Sequence, residues 1–345
     1  MTVPRLSLVV TGMNQNVLVG TDVVDEKSIR ALSRYSRVYK LADLTEDRLN
    51  QLLPSIHCLV VFSWPNQLTS DRLQKMTSLL FIQSILAGVN HIPFASLNKN
   101  VIVSSNAGAY SDEVAEYAWA LLLSAAKRVV ELHVSLREQK WTIKRTLDEG
   151  SEITILREKI LGILGFGGIG GVVGRGARGF GMQVYAYSRK KSAAKGVKFF
   201  VGTSGLSVLL KNSDAVVLAL PLTGQTARII NAERLSQMKK DGILVNVARG
   251  ELVDEKALYE HLVANPNFRY ATDVWWYREN RESLKTDYPF LSLPNFIGTP
   301  HVSGPSGLAT GRPVQLAVEN AIRYLKGLSP RNIVDPEEYK TSYPY

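Results

Sequence analysis

Two residues of this chain have the type and the setting for acid–base and carboxylate chemistry. Arg249 lies in Val245-Asn246-Val247-Ala248-Arg249-Gly250-Glu251-Leu252-Val253-Asp254, just past an apolar run that reads as a strand. A guanidinium there binds a carboxylate through a two-pronged fork and polarises the carbonyl beside it. His301 lies in Thr299-Pro300-His301-Val302-Ser303-Gly304, at the end of another strand-like run. An imidazole titrates near neutrality, so it can give a proton to a carbonyl oxygen as hydride arrives and remove it in reverse. A third stretch offers a phosphate site. Gly165-Phe166-Gly167-Gly168-Ile169-Gly170 follows the apolar run Lys159 to Leu164 and opens a helix. In that pattern Gly165 makes the turn, Gly167 lets a pyrophosphate approach the backbone, and Gly170 lets helix and strand pack. The helix start adds free N–H groups and a positive dipole end.

The elements that must carry these residues alternate between strand and helix. Strand-like runs are Leu6 to Val10, Cys58 to Phe62, Leu79 to Leu86, Ile102 to Ser104, Gln183 to Tyr187, Ala215 to Leu220, Gly242 to Val247, Tyr270 to Val274 and Phe296 to Thr299. Helical spacing covers Lys27 to Tyr35 and Glu255 to Ala264. A longer helix starts at Ser111, with Asp112 and Glu113 in its first turn, and its apolar stripe predicts continuation to about Leu136. Such a length suits a connection between domains or across a dimer. This alternation predicts α/β architecture with parallel, doubly wound sheets. The helix after Gly170 contains Gly171, Gly174, Gly176 and Gly179. Each costs ~1 kcal/mol against alanine, which implies close packing or local flexibility. The tail beyond Asn332 reads as loosely ordered.

Composition narrows the function classes. A chain of 345 residues exceeds one ordinary core, so two domains are expected. The charged share of 21% and hydrophobic share of 45% are those of a soluble globular protein. No run reaches ~18 apolar residues, so no membrane span is expected. One basic residue, Arg5, and a short apolar run read as a first strand rather than a signal peptide. The single cysteine, Cys58, sits in an apolar run and reads as a buried thiol in a reducing cytoplasm. The net charge of +10 is scattered, with short clusters at Arg189-Lys190-Lys191 and Lys239-Lys240. No nucleic-acid partner is expected from that dispersal, whereas a positive field favours anionic substrates and phosphorylated cofactors. No metal site is expected.

A NAD-selective unit places an acid at the end of the strand after the glycine turn. Here Tyr187 is followed by Ser188-Arg189-Lys190-Lys191. Arginine and lysine donate to a 2′-phosphate, so the sequence leans to NADP, with NAD still open.

Together with Pro221-Leu222-Thr223-x-x-Thr226, Ala271-Thr272-Asp273-Val274, Asn106-Ala107-Gly108 and Val114-Ala115-Glu116, these stretches resemble the D-isomer-specific 2-hydroxyacid dehydrogenase family from about Leu80 to Gly304. The resemblance implies two doubly wound parallel-sheet domains. A Rossmann cofactor domain, residues 105–302, is inserted in a flavodoxin-like substrate domain, residues 1–104 and 303–345, with the active site in the cleft. It assigns cofactor contacts to Gly165, Gly167, Gly168, Ile169, Ser188, Arg189, Lys190, Leu220, Pro221, Thr226, Val247, Ala248, Arg249, Asp273, His301 and Gly304. It assigns substrate contacts to Ala87, Gly88, Arg249 and His301, places Asn106 near nicotinamide or substrate, and makes Arg249, an acid and His301 the catalytic trio.

The acid departs from the family pattern. The family's Glu follows the Asp of Asp-Val by five positions, which lands on Arg278, with Glu279 one further and Asn280 where Pro is usual. Either an insertion in Trp275-Trp276-Tyr277 realigns Glu279, or another group supports His301. Ser303-Gly304 resemble formate dehydrogenases, but Arg278 stands where those carry Gln. The phosphite dehydrogenases' lysine is absent before Gly88. The expected activity is NADP-preferring reduction of a small 2-oxo acid, glyoxylate or hydroxypyruvate, by a cytoplasmic homodimer. A dinucleotide-sensing corepressor and a phosphoglycerate dehydrogenase are the alternatives.

Overall fold

The computed structural model describes residues 15–141, 153–189, 193–278, 281–304 and 311–339. The chain divides into two compact units, one of residues 1–110 and 305–342, the other of residues 111–304.

The first unit is a five-stranded sheet, all parallel, in the order β2-β1-β3-β4-β5. In chain order it runs β1 (Asn16–Val19), α1 (Glu26–Ser33), β2 (Arg37–Lys40), α2 (Glu46–Leu52), β3 (Ile56–Val61), α3 (Ser70–Lys75), β4 (Phe81–Ser84) and β5 (Ile102–Ser104). A parallel strand covered on both faces must be apolar at successive positions. Accordingly Leu18, Leu59, Val61 and Ile82 enter one core, with Leu49 of α2 and Leu73 of α3. Val17, Val19, Cys58, Val60 and Phe81 enter the other, with Leu32 of α1. The Cys58 thiol is buried, which pushes its pKa up and keeps it protonated. The run Leu6 to Val10 lies outside the described residues, and the first described strand is Asn16–Val19.

The second unit contains α4 (Ser111–Lys127), α5 (Val129–Arg137), β6 (Ile160–Leu164), α6 (Gly168–Gly179), β7 (Gln183–Tyr187), β8 (Val197–Phe200), α7 (Gly202–Asn212), β9 (Ala215–Leu218), α8 (Ala232–Gln237), β10 (Ile243–Asn246), α9 (Glu255–Ala264), β11 (Arg269–Thr272), β12 (Tyr277–Arg278), β13 (Arg281–Glu282) and β14 (Phe296–Gly298). Seven of these strands form one parallel sheet, ordered β14-β11-β10-β9-β6-β7-β8. The order reverses between β6 and β9, the doubly wound arrangement whose switch point favours a ligand beyond the strand ends. β12 and β13 pair as a short antiparallel hairpin. The chain then returns to the first unit as α10 (Arg312–Leu325), whose Tyr324 stacks on Phe81 at 4.5 Å. No helix among the described residues is long and apolar enough to cross a membrane.

Two expectations from the sequence are corrected. The long helix from Ser111 is two helices, broken at Arg128, whose φ is +53°. Its guanidinium folds back onto Glu131, with Nε to Oε2 at 2.8 Å. The tail after Asn332 is not loose through residue 339. Ile333 bridges Ser104, the Val334 N–H donates to the Val103 carbonyl at 3.0 Å, and Tyr339 stacks on Phe94 at 5.1 Å. This covers the open side of the edge strand β5, whose backbone groups would otherwise lack partners.

Packing accounts for part of the glycine content of α6. A Cβ on Gly170 would meet the Gly165 carbonyl oxygen at 2.1 Å, on Gly174 the Phe166 ring at 3.0 Å, and on Gly176 the Trp119 indole at 2.4 Å. Gly171 and Gly179 face open space. Close packing against β6 and α4 is therefore the reason for three of the five.

At the opposite end of the sheet from the glycine turn, Asp214 ties β6 to β9. Its carboxylate accepts from the Ile160 N–H at 2.8 Å and from Lys239 Nζ at 2.7 Å, with Lys159 at 3.5 Å. Burial pushes the carboxyl up, but the Ile160 N–H and the two ammonium groups outweigh it and hold the pKa below its ordinary value. A depressed carboxylate stabilises the fold above its unfolded pKa and loses that contribution as pH falls through the folded one. Asp214→Asn is expected to cost about 1–3 kcal/mol in denaturant unfolding at neutral pH. Acidification below about pH 4 should narrow the gap to wild type. A constant gap down to acid pH would contradict this role.

Candidate active site

Six strands of the seven-stranded sheet end along one side, and their following turns carry nearly all the residues singled out by type and spacing. In sheet order these are Ser188 and Arg189 after β7, Gly165 to Ile169 after β6, Leu220 to Thr226 after β9, Val247 to Arg249 after β10, Asp273 after β11, and His301 to Gly304 after β14. Backbone bonds join neighbours along the row. Gly165 N–H donates to the Tyr187 carbonyl at 2.9 Å, Ala219 N–H to Leu164 at 2.8 Å, and Asp273 N–H to Asn246 at 3.0 Å.

The glycine turn has the shape its sequence implies. Gly165 has φ +94°, and a Cβ there would lie 2.5 Å from the Ala219 carbonyl oxygen. Gly167, exposed, has nothing within 4 Å of the same position. Helices α1, α2, α3, α8 and α9 begin with a side-chain cap from Asp25, Thr45, Thr69, Asn231 and Asp254. The α6 start at Gly167 has none, as is also true of α5, α7 and α10. Uncapped N–H groups beside an open, bulk-free turn fit a phosphate-bearing dinucleotide.

The next turns are built from side chains that lock their own backbone. Thr226 Oγ1 donates to the Pro221 carbonyl at 2.7 Å and accepts from the Thr223 N–H at 2.8 Å. Asn246, fully buried at the end of β10, accepts from Ala248 N–H at 3.1 Å and donates to the Arg249 carbonyl at 2.8 Å. Gly250 lets this turn close, since a Cβ would lie 2.4 Å from the Trp275 backbone. The half-buried Arg249 is thus held by its backbone, and its Nη1 donates to the Ala248 carbonyl at 2.6 Å.

Asp273 organises the turn that carries His301. Its carboxylate is buried and accepts from Thr299 Oγ1 at 2.6 Å, Val302 N–H at 3.0 Å and Ser303 N–H at 2.7 Å. His301 sits inside this bracket with φ +52°, a left-handed backbone that non-glycine residues seldom adopt, and its ring is exposed. Sequence reasoning missed Asn246 and Thr299 as supports. A polar residue closing the apolar run Ile243 to Val245 was the available signal for Asn246.

Other singled-out residues lie elsewhere or beyond description. Ala87 and Gly88 follow β4 in the first unit, both half-buried. Asn106 spends its amide hydrogens on the Ile85 and Pro313 carbonyls at 2.9 and 2.8 Å. Lys190 and Glu279 lie outside the described residues. Arg278, at the family's Glu position, is paired with Glu255 and with Asp287, the latter at 2.9 Å. Of the remaining histidines, His57 accepts from the Asn16 N–H at 3.2 Å, and His261 stands edge-on to Phe268 at 4.5 Å. Burial lowers the pKa of both.

Residues 119–303, more than half of the chain, match the model of the D-isomer specific 2-hydroxyacid dehydrogenase NAD binding domain. This chain belongs to the D-isomer-specific 2-hydroxyacid dehydrogenase family. Members are oxidoreductases that act on CH–OH donors with NAD(P). The chain is 33% identical over 272 residues to a glyoxylate/hydroxypyruvate reductase B of Pectobacterium carotovorum, covering 78% of this chain and 83% of the relative. It is 33% identical over 320 residues to a D-3-phosphoglycerate dehydrogenase of Methanocaldococcus jannaschii, covering 91% of this chain and 58% of that longer relative. Among solved structures, an acyclic imino acid reductase in complex with NADPH and D-arginine superposes with a TM-score of 0.75 at 25% identity, covering 93% of this chain and 100% of that one.

Asp273→Asn preserves shape but presents an amide where acceptors are needed. It should lower unfolding stability by about 2 kcal/mol, the loss of charge-assisted bonds from a buried carboxylate. A change below about 0.5 kcal/mol, the range of ordinary surface substitutions, would contradict the anchor.

Proposed function

We propose that this dehydrogenase is an NADP-preferring reductase of small 2-oxo acids, with glyoxylate and hydroxypyruvate as the favoured substrates. The observation that carries the reading is the row of strand ends that holds an uncapped glycine turn, Arg249 and the His301 turn on one side of one sheet. When bound, the dinucleotide supplies the hydride. Arg249 forks onto the substrate carboxylate and draws electron density from the adjacent carbonyl. His301 donates a proton to the carbonyl oxygen in reduction and takes it back in oxidation. Asp273, through the backbone of Val302 and Ser303, fixes the turn from which His301 projects. The carboxylate partner of His301 is assigned to Glu279, on the family pattern shifted by one residue.

Cofactor preference rests on Ser188 and Arg189. Arg189 lies exposed just past β7, and a guanidinium donates to a 2′-phosphate more strongly than to a bare ribose hydroxyl. The name of the acyclic imino acid reductase complex, which holds NADPH, is in keeping with this preference. We also propose a homodimer, because α5 buries none of its residues and exposes Val129, Val130, Val134 and Leu136. Light scattering should give twice the mass of the chain; a monomer at micromolar concentration would refute it.

Steady-state rates with NADPH and NADH against glyoxylate and hydroxypyruvate test the reading. Oxidation of NADPH by at least one acid is expected, and no oxidation of either cofactor would overturn it. His301→Ala should lower kcat by about 10²–10⁴-fold, the usual worth of a positioned acid–base group. Arg249→Ala should raise KM for the acid at least about tenfold and lower kcat as well. Arg189→Ala should raise KM for NADPH by about tenfold while leaving NADH nearly unchanged. Equal losses with both cofactors would remove Arg189 from selectivity.

A further inference from the structure

Phe166 has no assigned part in the glycine turn, yet its side chain has a built seat. The residue follows Gly165 and precedes the exposed Gly167. Its half-buried ring turns back over α6, where a Cβ on Gly174 would lie 3.0 Å from Cε2 and 3.3 Å from Cζ. The ring also meets Phe199 of β8 edge-to-face, with centroids 5.2 Å apart and planes at 84°. Cδ1 of Ile163 in β6 lies 3.4 Å from the same Cβ position.

A glycine inside a helix is less favourable than alanine, so one kept there needs a steric reason. For Gly174 that reason is the ring of Phe166. Nothing occupies the space beside Gly171 or Gly179, so these two are not explained by packing. The backbone on either side of Phe166 is already restricted, by the positive φ of Gly165 and by the contact of Gly170 with the Gly165 carbonyl. Seating the ring removes the remaining freedom of the turn before a ligand arrives. Affinity rises when a loop is already in its binding conformation, because less order has to be imposed on binding.

We propose that Phe166 is a positioning residue for the dinucleotide turn, and that the Gly174 slot which seats it sets dinucleotide affinity. This rests on the reading of the turn as the dinucleotide site. Gly174→Ala should push the ring, and with it the turn, by a few tenths of an ångström. Alanine favours the helix, so the variant should fold with an unchanged or higher Tm. A structural role alone would therefore show in Tm, and a positioning role in dinucleotide affinity.

The test is calorimetric titration of the full chain with NADPH. Gly174→Ala and Phe166→Ala should each raise Kd about fivefold or more, a factor that corresponds to about 1 kcal/mol. Gly179→Ala, the control in the same helix, should leave Kd unchanged. The double variant Gly174→Ala with Phe166→Leu, in which the smaller side chain returns the lost room, should bind more tightly than Gly174→Ala alone. Across the series kcat at saturating NADPH should stay within about twofold, with the change confined to KM for the dinucleotide. A wild-type chain that binds NADPH while Gly174→Ala binds it equally well overturns the proposal alone. A double variant no better than Gly174→Ala overturns it too. A wild-type chain that binds neither NADPH nor NADH overturns the site reading and the proposal with it.

Discussion

A buried carboxylate must be compensated, and Asp273 is compensated by the backbone it organises. With no exposed surface, its two oxygens depend on Thr299 Oγ1 and the N–H groups of Val302 and Ser303. An ionised group in such a place is costly unless its hydrogen bonds are made. The chain segment from Thr299 to Ser303 therefore has little choice of path, and His301, in the middle, takes a positive φ. The Asp273 N–H donates to the carbonyl of Asn246, whose side chain closes the Arg249 turn. One network of short polar contacts thus sets the backbone beneath both residues capable of chemistry.

The opposite half of the row is set by absence of bulk. Parallel strands bring the ends of β6 and β9 together, and the turn after β6 must pass against the Ala219 carbonyl. Only a glycine fits at 165, and the next contact, between Gly170 and the Gly165 carbonyl, requires another. The consequence is a turn that leaves Gly167 open to solvent at an uncapped helix start. Steric exclusion and hydrogen bonding thus divide the work: the first leaves an open, bulk-free turn, and the second fixes the backbone of Arg249 two strands away and of His301 four strands away.

Much of the fold was legible because buried parallel strands are continuous apolar runs. β3, β6, β9 and β10 stand out for that reason, and the same reading of strand ends led to Arg249 and to His301. Of the four edge strands, β5 and β14 were legible, while β2 and β8 were not. Arg37–Lys40 is half-exposed and alternates too weakly, and Val197–Phe200 carries Lys198, whose ammonium lies 5.1 Å from the Tyr185 ring centroid. The break at Arg128 had no proline or glycine to announce it. The tail from Ile333 to Tyr339 looked loose because its partners, Val103, Ser104 and Phe94, are more than two hundred residues earlier. Within the site, residue types and spacing were informative while supports were not. Asp273 was attributed to a ligand from resemblance, and its bonds to the His301 turn depend on how far apart two strand ends lie. Arg278 illustrates the same limit: counting placed it at an acid's position, and only the structure pairs it with Glu255 and Asp287.

We propose that this row of strand ends delivers hydride to the carbonyl carbon of a small 2-oxo acid. The direct measurement follows the hydrogen itself. NADPH dideuterated at the nicotinamide C4 is incubated with the chain and either glyoxylate or hydroxypyruvate, and the products are analysed by mass spectrometry and chiral chromatography. Deuterium is expected at C2 of glycolate or of glycerate, with glycerate formed only as the D-isomer. Product without deuterium at C2, L-glycerate, or no product from either acid would contradict it.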